Sequence, residues 1–358
     1  MHNGITVSPL PALHSEHESV PVISAIDANF VPVYSVFLAS LLAHSNPNRF
    51  YDLILLTENV SAEAIHVFQA QIRPYKYVSL RSVDMTDYPV PFLDKVGFKK
   101  PAFFRLIMPE LLPEYTKAVY LDTDTILLED VAVLYDTLSY GFAAVISDIT
   151  MHAYSNNPEV TEDYLGSYGN MSTYWDKYLN LSTKAKAAYF NSGVMVFDLE
   201  KMRRANIVEK IMTLLRTKPF IFVDQDILNI AFDGDVQKLS LKWNFFQALN
   251  PKLEYPDEVL AERALAEENI CLIHYAWKKP WVETDSVPYE EYFWFFARQS
   301  VFYERLLARR QSAVHAKHFF AKTRHKLATS KLMRGMKEQF PMIFYEAIRI
   351  CWGKGRRG

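Results

Sequence analysis

The chain has 358 residues, half of them of hydrophobic type, with 41 acidic against 39 basic side chains. That is ample for a packed core, as two domains or as one large α/β domain with an appendage, and no run approaches the roughly 18 apolar residues of a spanning helix. Charge is unevenly spread: residues 301–358 carry 14 Lys/Arg against 3 Asp/Glu, which looks toward an anionic partner, while the acidic remainder and the lack of a reading motif argue against nucleic acid.

Residues 1–19 have no basic start followed by an apolar core, so they read as a disordered leader and not as a secretory signal. A buried strand is expected over 21–26, then a helix over 31–45 with Val33, Val36, Phe37, Ser40, Leu41 and His44 on one face. Strands over 51–58 and 77–85 flank a helix over 61–72 that has a serine at its cap position. A proline opens a helix over 101–112, and the run 117–122 is the next strand. Strands over 141–148 and 188–199 bracket a polar, tyrosine-rich segment, 150–187, long enough to be a binding loop or lid. Helices over 200–217 and 224–232 and a last strand over 269–275 follow. Strand–helix alternation of this kind implies a largely parallel sheet. From about 284 the chain is helical and basic, with Phe340, Phe344, Ile348, Cys351 and Trp352 at near-helical spacing before Lys354, Arg356 and Arg357. The two cysteines, Cys271 and Cys351, make neither a disulfide framework nor a cysteine metal cluster, which suits a reducing, cytoplasmic setting.

The segment AVYLDTDTILL, 118–128, delivers two aspartates at the end of an apolar run. In a strand, residues two apart point the same way, so Asp122 and Asp124 would converge at the strand's carboxyl end, where open α/β sheets bind ligands. Two carboxylates there repel unless a cation neutralises them, and oxygen ligands suit Mg²⁺ or Mn²⁺. An acidic turn without a ligand is the alternative.

YLDTDTIL resembles the D-x-D segment of the family 8 glycosyltransferases, retaining galactosyl- and glucosyltransferases of the GT-A fold. Five further segments resemble that family in order: SAIDANF (24–30), FFRLIMPELLP (103–113), YFNSGVMVFDLEKMRR (189–204), DQDILN (224–229) and HYAWKKPW (274–281). The resemblance implies a GT-A catalytic domain over about 20–283, with a mixed, mainly parallel sheet flanked by helices and with 150–187 as insertion or lid, followed by the helical basic tail 284–358. It departs in the last segment, which lacks the family's glycine after His-Tyr and is one residue shorter before the lysine.

By this resemblance Asp122, Asp124 and His274 hold the metal, the imidazole favouring Mn²⁺ over Mg²⁺. Asp27 and Asn29 hold the uridine, and Arg105 reaches the donor and the acidic pair. Lys279, with Lys278 a lesser candidate, stabilises the leaving diphosphate. Asn191, Gly193, Asp224 and Gln225 line the donor sugar. Gln225 faces the reacting carbon but is a poor nucleophile, so retention without an obvious covalent intermediate is implied, with Asp224 or Asp226 as candidate nucleophiles after a rearrangement. Asp226 could instead cap its helix. The implied donor is UDP-glucose or UDP-galactose. The implied acceptor is a lipopolysaccharide core or another cell-surface glycan or lipid-linked saccharide. The basic tail would meet anionic lipid on the inner face of the cytoplasmic membrane. Rival readings are a self-glucosylating protein of the glycogenin kind, a non-catalytic sugar-nucleotide binder, and a DxDxT-type phosphatase.

Overall fold

The computed structural model describes residues 8–13, 15–90, 99–160, 163–217 and 219–314. Among these, the strands are β1 (Ser19–Asp27), β2 (Phe50–Glu58), β3 (Val78–Asp84), β4 (Lys117–Leu121), β5 (Thr125–Leu127), β6 (Ala143–Ser147), β7 (Phe190–Asp198), β8 (Gln237–Leu239), β9 (Phe245–Phe246) and β10 (Leu272–His274). They form a seven-stranded sheet of order β3-β2-β1-β4-β7-β6-β8 and a three-stranded sheet of order β5-β10-β9. The parallel half, β3-β2-β1-β4, is joined to β7, which runs antiparallel to both β4 and β6. The sheet is therefore mixed, as the GT-A resemblance implied.

Alternate strand residues feed two apolar layers. Ile23, Ile54, Tyr120 and Phe197 enter one, and Val22, Leu53, Val119 and Val196 enter the other. A strand covered on both faces must be apolar at nearly every position, which is why these segments read as continuous runs. The helix Val31–His44 shows the same logic and corrects the one-face expectation, since Val31 to Leu42 are all buried. The helix Glu290–Ala297 covers its outer side, with the Phe296 ring edge-on to His44 at 6.0 Å and Ser300 Oγ 2.8 Å from Ser35 Oγ.

Two expected helices are broken. The 101–112 segment splits into Pro101–Phe104, a 3-10 turn Arg105–Ile107 and Met108–Leu111; Pro109 has no N–H to continue the α ladder. The 200–217 segment becomes Leu199–Arg204 and Ile207–Thr217, parted by Asn206 at φ 52°. The 150–187 segment is built into the core, with Met171, Tyr174, Trp175 and Leu179 buried. Residues 8–13 are correspondingly no free leader: Leu10 N–H donates to Leu111 O at 2.8 Å, and Arg81 donates to Pro11 O at 2.8 Å.

Among the described residues, those up to 279 with 287–303 form one compact unit, and 280–286 with 304–314 form another. The tail from 315 onward, including Phe340, Phe344, Ile348, Cys351 and Trp352, lies outside the described residues, as do residues 1–7 of the leader. Among the described residues no helix is long and apolar enough to cross a membrane.

Candidate active site

The acidic pair does not lie on a strand. β4 ends at Leu121, and Asp122–Thr123–Asp124 turns the chain out of the large sheet into β5 of the small one. The turn is pinned by backbone. Asp122 N–H donates to Gly193 O at 2.7 Å, Tyr275 N–H donates to Asp124 O at 2.9 Å, and Thr125 Oγ1 donates to Asp122 O at 2.7 Å. Antiparallel pairing of β5 with β10 sets His274 opposite Thr125, which brings the imidazole to the pair. One ligand atom from each of Asp122, Asp124 and His274 then lies within 4.8 Å of the others.

Two features show that this cluster fits a divalent cation. His274 Nδ1 is 2.7 Å from Asn244 Oδ1, an acceptor, so Nδ1 carries the proton and Nε2 keeps a lone pair facing Asp124 Oδ1 at 3.3 Å. Gly193 leaves the space open: a Cβ there would stand 2.5 Å from His274 Cε1 and 2.7 Å from Asp122 Oδ2. The glycine lies where the β6–β7 register shifts, Val145 facing Met195 and Ile146 facing Asn191, a bulge beside the site.

Charge is balanced around the pair. Burial would raise the Asp124 carboxyl, but the adjacent Lys279 ammonium outweighs it and holds it well below the usual range. Lys279 Nζ pairs with Asp124 and also donates to the carbonyls of Tyr275 at 2.6 Å and Ala276 at 3.2 Å. Arg105, 4 % exposed, finds the partners its place among apolar residues demanded. Its guanidinium donates to Asp122 Oδ1 at 2.8 Å and Ser192 O at 2.5 Å, and lies 4.0 Å from the Tyr120 ring centroid. Burial opposes its charge, but Asp122 and Asp224 keep it protonated.

A cleft of about 450 Å³ opens over this cluster, its walls including Asp27, Lys99, Asp148, Asn191, Gln225 and Trp277. Gln225 is held on both ends of its amide. Oε1 accepts from Asn191 Nδ2 at 3.0 Å and Ser192 N–H at 3.3 Å, and Nε2 donates to Asp148 Oδ2 at 3.1 Å. Asp224 Oδ2 is fully buried without a hydrogen-bond partner, 3.2 Å from Arg105 Nε, so an unsatisfied acceptor lies in the cleft wall. Asp27 caps the turn after β1, accepting from Asn29 N–H at 2.9 Å and Phe30 N–H at 3.1 Å.

Four expected residues stand apart from the cleft wall, Gly193 among them, which lies against His274, Asp122 and Asn191. Asn29 is exposed beside Asp27, and Lys278 is a solvated side chain on the closing loop. Asp226, a candidate nucleophile, is fully buried: its carboxylate accepts from Tyr174 Oη at 2.6 Å, Tyr189 Oη at 2.7 Å and Phe222 N–H at 2.9 Å. Both its oxygens are engaged by its own helix's N-cap residue and two tyrosines, so the capping contact is made here, and a nucleophile role would need the rearrangement that breaks these bonds. Asp148, Asn244 and Trp277 were missed. Asp148 ends an apolar run much as Asp122 does, a signal that was available; Asn244 has no local signal.

The fold and the position of the site at the carboxyl end of β4 define a GT-A glycosyltransferase. The sequence model of Glycosyl transferase family 8 matches residues 21–285. The chain belongs to that family and is a hexosyltransferase of it. It is 24% identical to General stress protein A of Bacillus subtilis over 77% of this chain and 92% of that one. It is 23% identical to Lipopolysaccharide 1,2-glucosyltransferase of Escherichia coli over 81% of each. In structure it is similar to the WbbM bifunctional glycosyltransferase, with TM-score 0.72, 25% identity, and coverage of 84% of this chain and about half, 53%, of that one. It shares its fold with the galactosyltransferase LgtC, solved with donor and acceptor sugar analogs, at TM-score 0.59 and 20% identity over 79% of this chain and 96% of that one. The family match sets the phosphatase alternative aside.

Proposed function

We propose that this enzyme moves glucose or galactose, with retention, from UDP-glucose or UDP-galactose to a glycan acceptor, a lipopolysaccharide or another cell-surface saccharide. Asp122, Asp124 and His274 would hold Mn²⁺, or Mg²⁺, and the observation that carries the reading is their convergence around the missing side chain of Gly193. A bound divalent cation supplies Lewis-acid stabilisation of a leaving diphosphate.

The chain's own residues do the rest. Arg105 fixes Asp122 and keeps the cluster from self-repulsion. Lys279, anchored by its own loop carbonyls, sits where it meets negative charge beside Asp124. Asp27 and its capped turn form the nucleotide end of the cleft, while Asn191, Asp224 and Gln225 form the sugar end. Gln225, an amide with both ends engaged, orients a sugar and does not attack it. Trp277, 46% exposed in the wall of the cleft, offers a ring face to an acceptor saccharide.

A thermal-shift panel of nucleotide sugars with Mn²⁺ tests this reading, since a ligand that binds only the folded chain raises its Tm. UDP-hexoses should stabilise the wild type, and the effect should vanish in Asp124→Ala; stabilisation that survives Asp124→Ala or chelation would reject the metal-held donor. Intact mass after incubation with UDP-glucose and Mn²⁺ separates transfer to an external acceptor from self-glucosylation, which gives a ladder of added hexoses. The membrane role falls to the tail: anionic vesicles should recover the full chain and not a chain ending at residue 300.

A further inference from the structure

We propose that Asp226 is a positioning residue. With Tyr174 and Tyr189 it forms a buried clasp that holds Val223 in a strained backbone conformation and thereby aims Asp224 and Gln225 into the cleft. The proposal rests on the sugar-end reading of those two residues given above.

Val223 opens the helix Val223–Phe232 with φ +29°. For a β-branched residue a positive φ is a true outlier, and such strain persists only where the surroundings over-determine it. The next two residues are Asp224 and Gln225, so the φ of Val223 decides where both side chains go. Donors and acceptors grip the chain just before the strained residue. Ile221 N–H donates to Tyr174 Oη at 3.0 Å, and Phe222 N–H donates to Asp226 Oδ2 at 2.9 Å. Tyr174 Oη in turn donates to the same Oδ2 at 2.6 Å, closing a ring across the start of the helix. Tyr189 Oη takes the other oxygen, Oδ1, at 2.7 Å. Tyr174, Tyr189 and Asp226 are all fully buried.

No ion pair to Asp226 exists among the described residues, although the carboxylate is buried. Two hydroxyls and one amide carry it instead. Asn229, one turn further on, bonds Phe190 N–H at 3.1 Å and Phe190 O at 3.0 Å, so the helix is already tied to β7 without the clasp. The clasp therefore acts on the strained first turn. It also joins that turn to the 150–187 segment, which contributes Tyr174.

The test removes single hydroxyls and leaves the rings. Tyr174→Phe and Tyr189→Phe are compared with Tyr51→Phe, which deletes a like bond, Tyr51 Oη to Asp130 Oδ1 at 2.7 Å, near the start of β2 in the fold's other apolar layer, at the opposite end of the strands from Asp27. Hydrolysis of UDP-glucose and UDP-galactose, UDP affinity and amide hydrogen exchange are measured with Mn²⁺. In the clasp variants kcat should fall about tenfold while UDP affinity stays within about twofold, as expected when a reacting group is misplaced by a fraction of an ångström. Exchange over residues 221–226 should quicken. Val223→Gly, which adopts positive φ without strain, should restore kcat in the Tyr174→Phe background. Exchange over 221–226 no faster than in Tyr51→Phe, or kcat equal to that of Tyr51→Phe, overturns the clasp. If the wild type turns over neither donor, the donor assignment fails, and the exchange comparison still decides the clasp.

Discussion

Replacing Gly193 with alanine places a methyl group 2.5 Å from His274 Cε1, 2.7 Å from Asp122 Oδ2 and 3.0 Å from Asn191 Oδ1. Non-bonded carbon atoms rest at about 3.5–4.0 Å, so relief needs a shift of roughly 1 Å, shared among groups with little freedom. His274 is 3% exposed and tied through Asn244, and Asp122 is tied to Arg105 and to the backbone of Gly193 itself. Overpacking of this kind costs about 1–3 kcal/mol of stability, a Tm loss of a few degrees in a chain of this size. The effect on cation affinity should be larger. Disturbing the groups that orient ligands costs about 10–100-fold, and this methyl displaces two ligands at once. Calorimetric titration of Mn²⁺ in the presence of UDP should therefore show at least a tenfold loss for Gly193→Ala, in a protein that still unfolds cooperatively. Wild-type Mn²⁺ affinity in a folded Gly193→Ala would refute the argument that this glycine is the open wall of a metal site.

Asn244→Ala removes the acceptor that fixes the His274 tautomer, and should weaken Mn²⁺ by about 10–100-fold with little change in Tm; unchanged affinity would mean that the imidazole needs no such anchor. Asp226 gives a pH-dependent stability. Burial pushes its carboxyl up to about 6 despite the tyrosine and backbone donors, above the unfolded value of about 3.9. The fold then keeps a proton that the unfolded chain has already released, so this favourable contribution is whole below about pH 4 and is lost as pH rises through about 6. Across that window the wild type should lose on the order of 3 kcal/mol relative to Asp226→Asn, read by urea unfolding in chelator at several pH values; parallel curves would place the carboxylate in a more polar setting. Trp277→Ala should raise the KM for a saccharide acceptor several-fold and leave UDP affinity unchanged, the loss of one ring–sugar stacking contact of about 1 kcal/mol; a matching loss of UDP affinity would move the ring to the nucleotide end.

The order of elements, the buried strands and the acidic pair were legible from residue types alone, because a strand covered on both faces and a pair of like charges after an apolar run each leave a local signature. The six family-like segments carried the rest of the site list. What local pattern could not carry was geometry made by pairing. Asp122 and Asp124 converge because a turn passes the chain from one sheet to another, not because a strand alternates, and His274 arrives through the β5–β10 register. Asn244 matters only through the imidazole 2.7 Å away, thirty residues along the chain. Asp226 sits in DQD like its neighbours, yet two tyrosines from other segments close it off from the cleft. Helix periodicity failed at Val31–His44 for a related reason: a helix between a sheet and an outer helix has no wet face to mark. Composition and spacing report what each residue is and which neighbours it has in sequence, whereas hydrogen bonds across the fold decide which carboxylates face the cleft and which are buried as clasps.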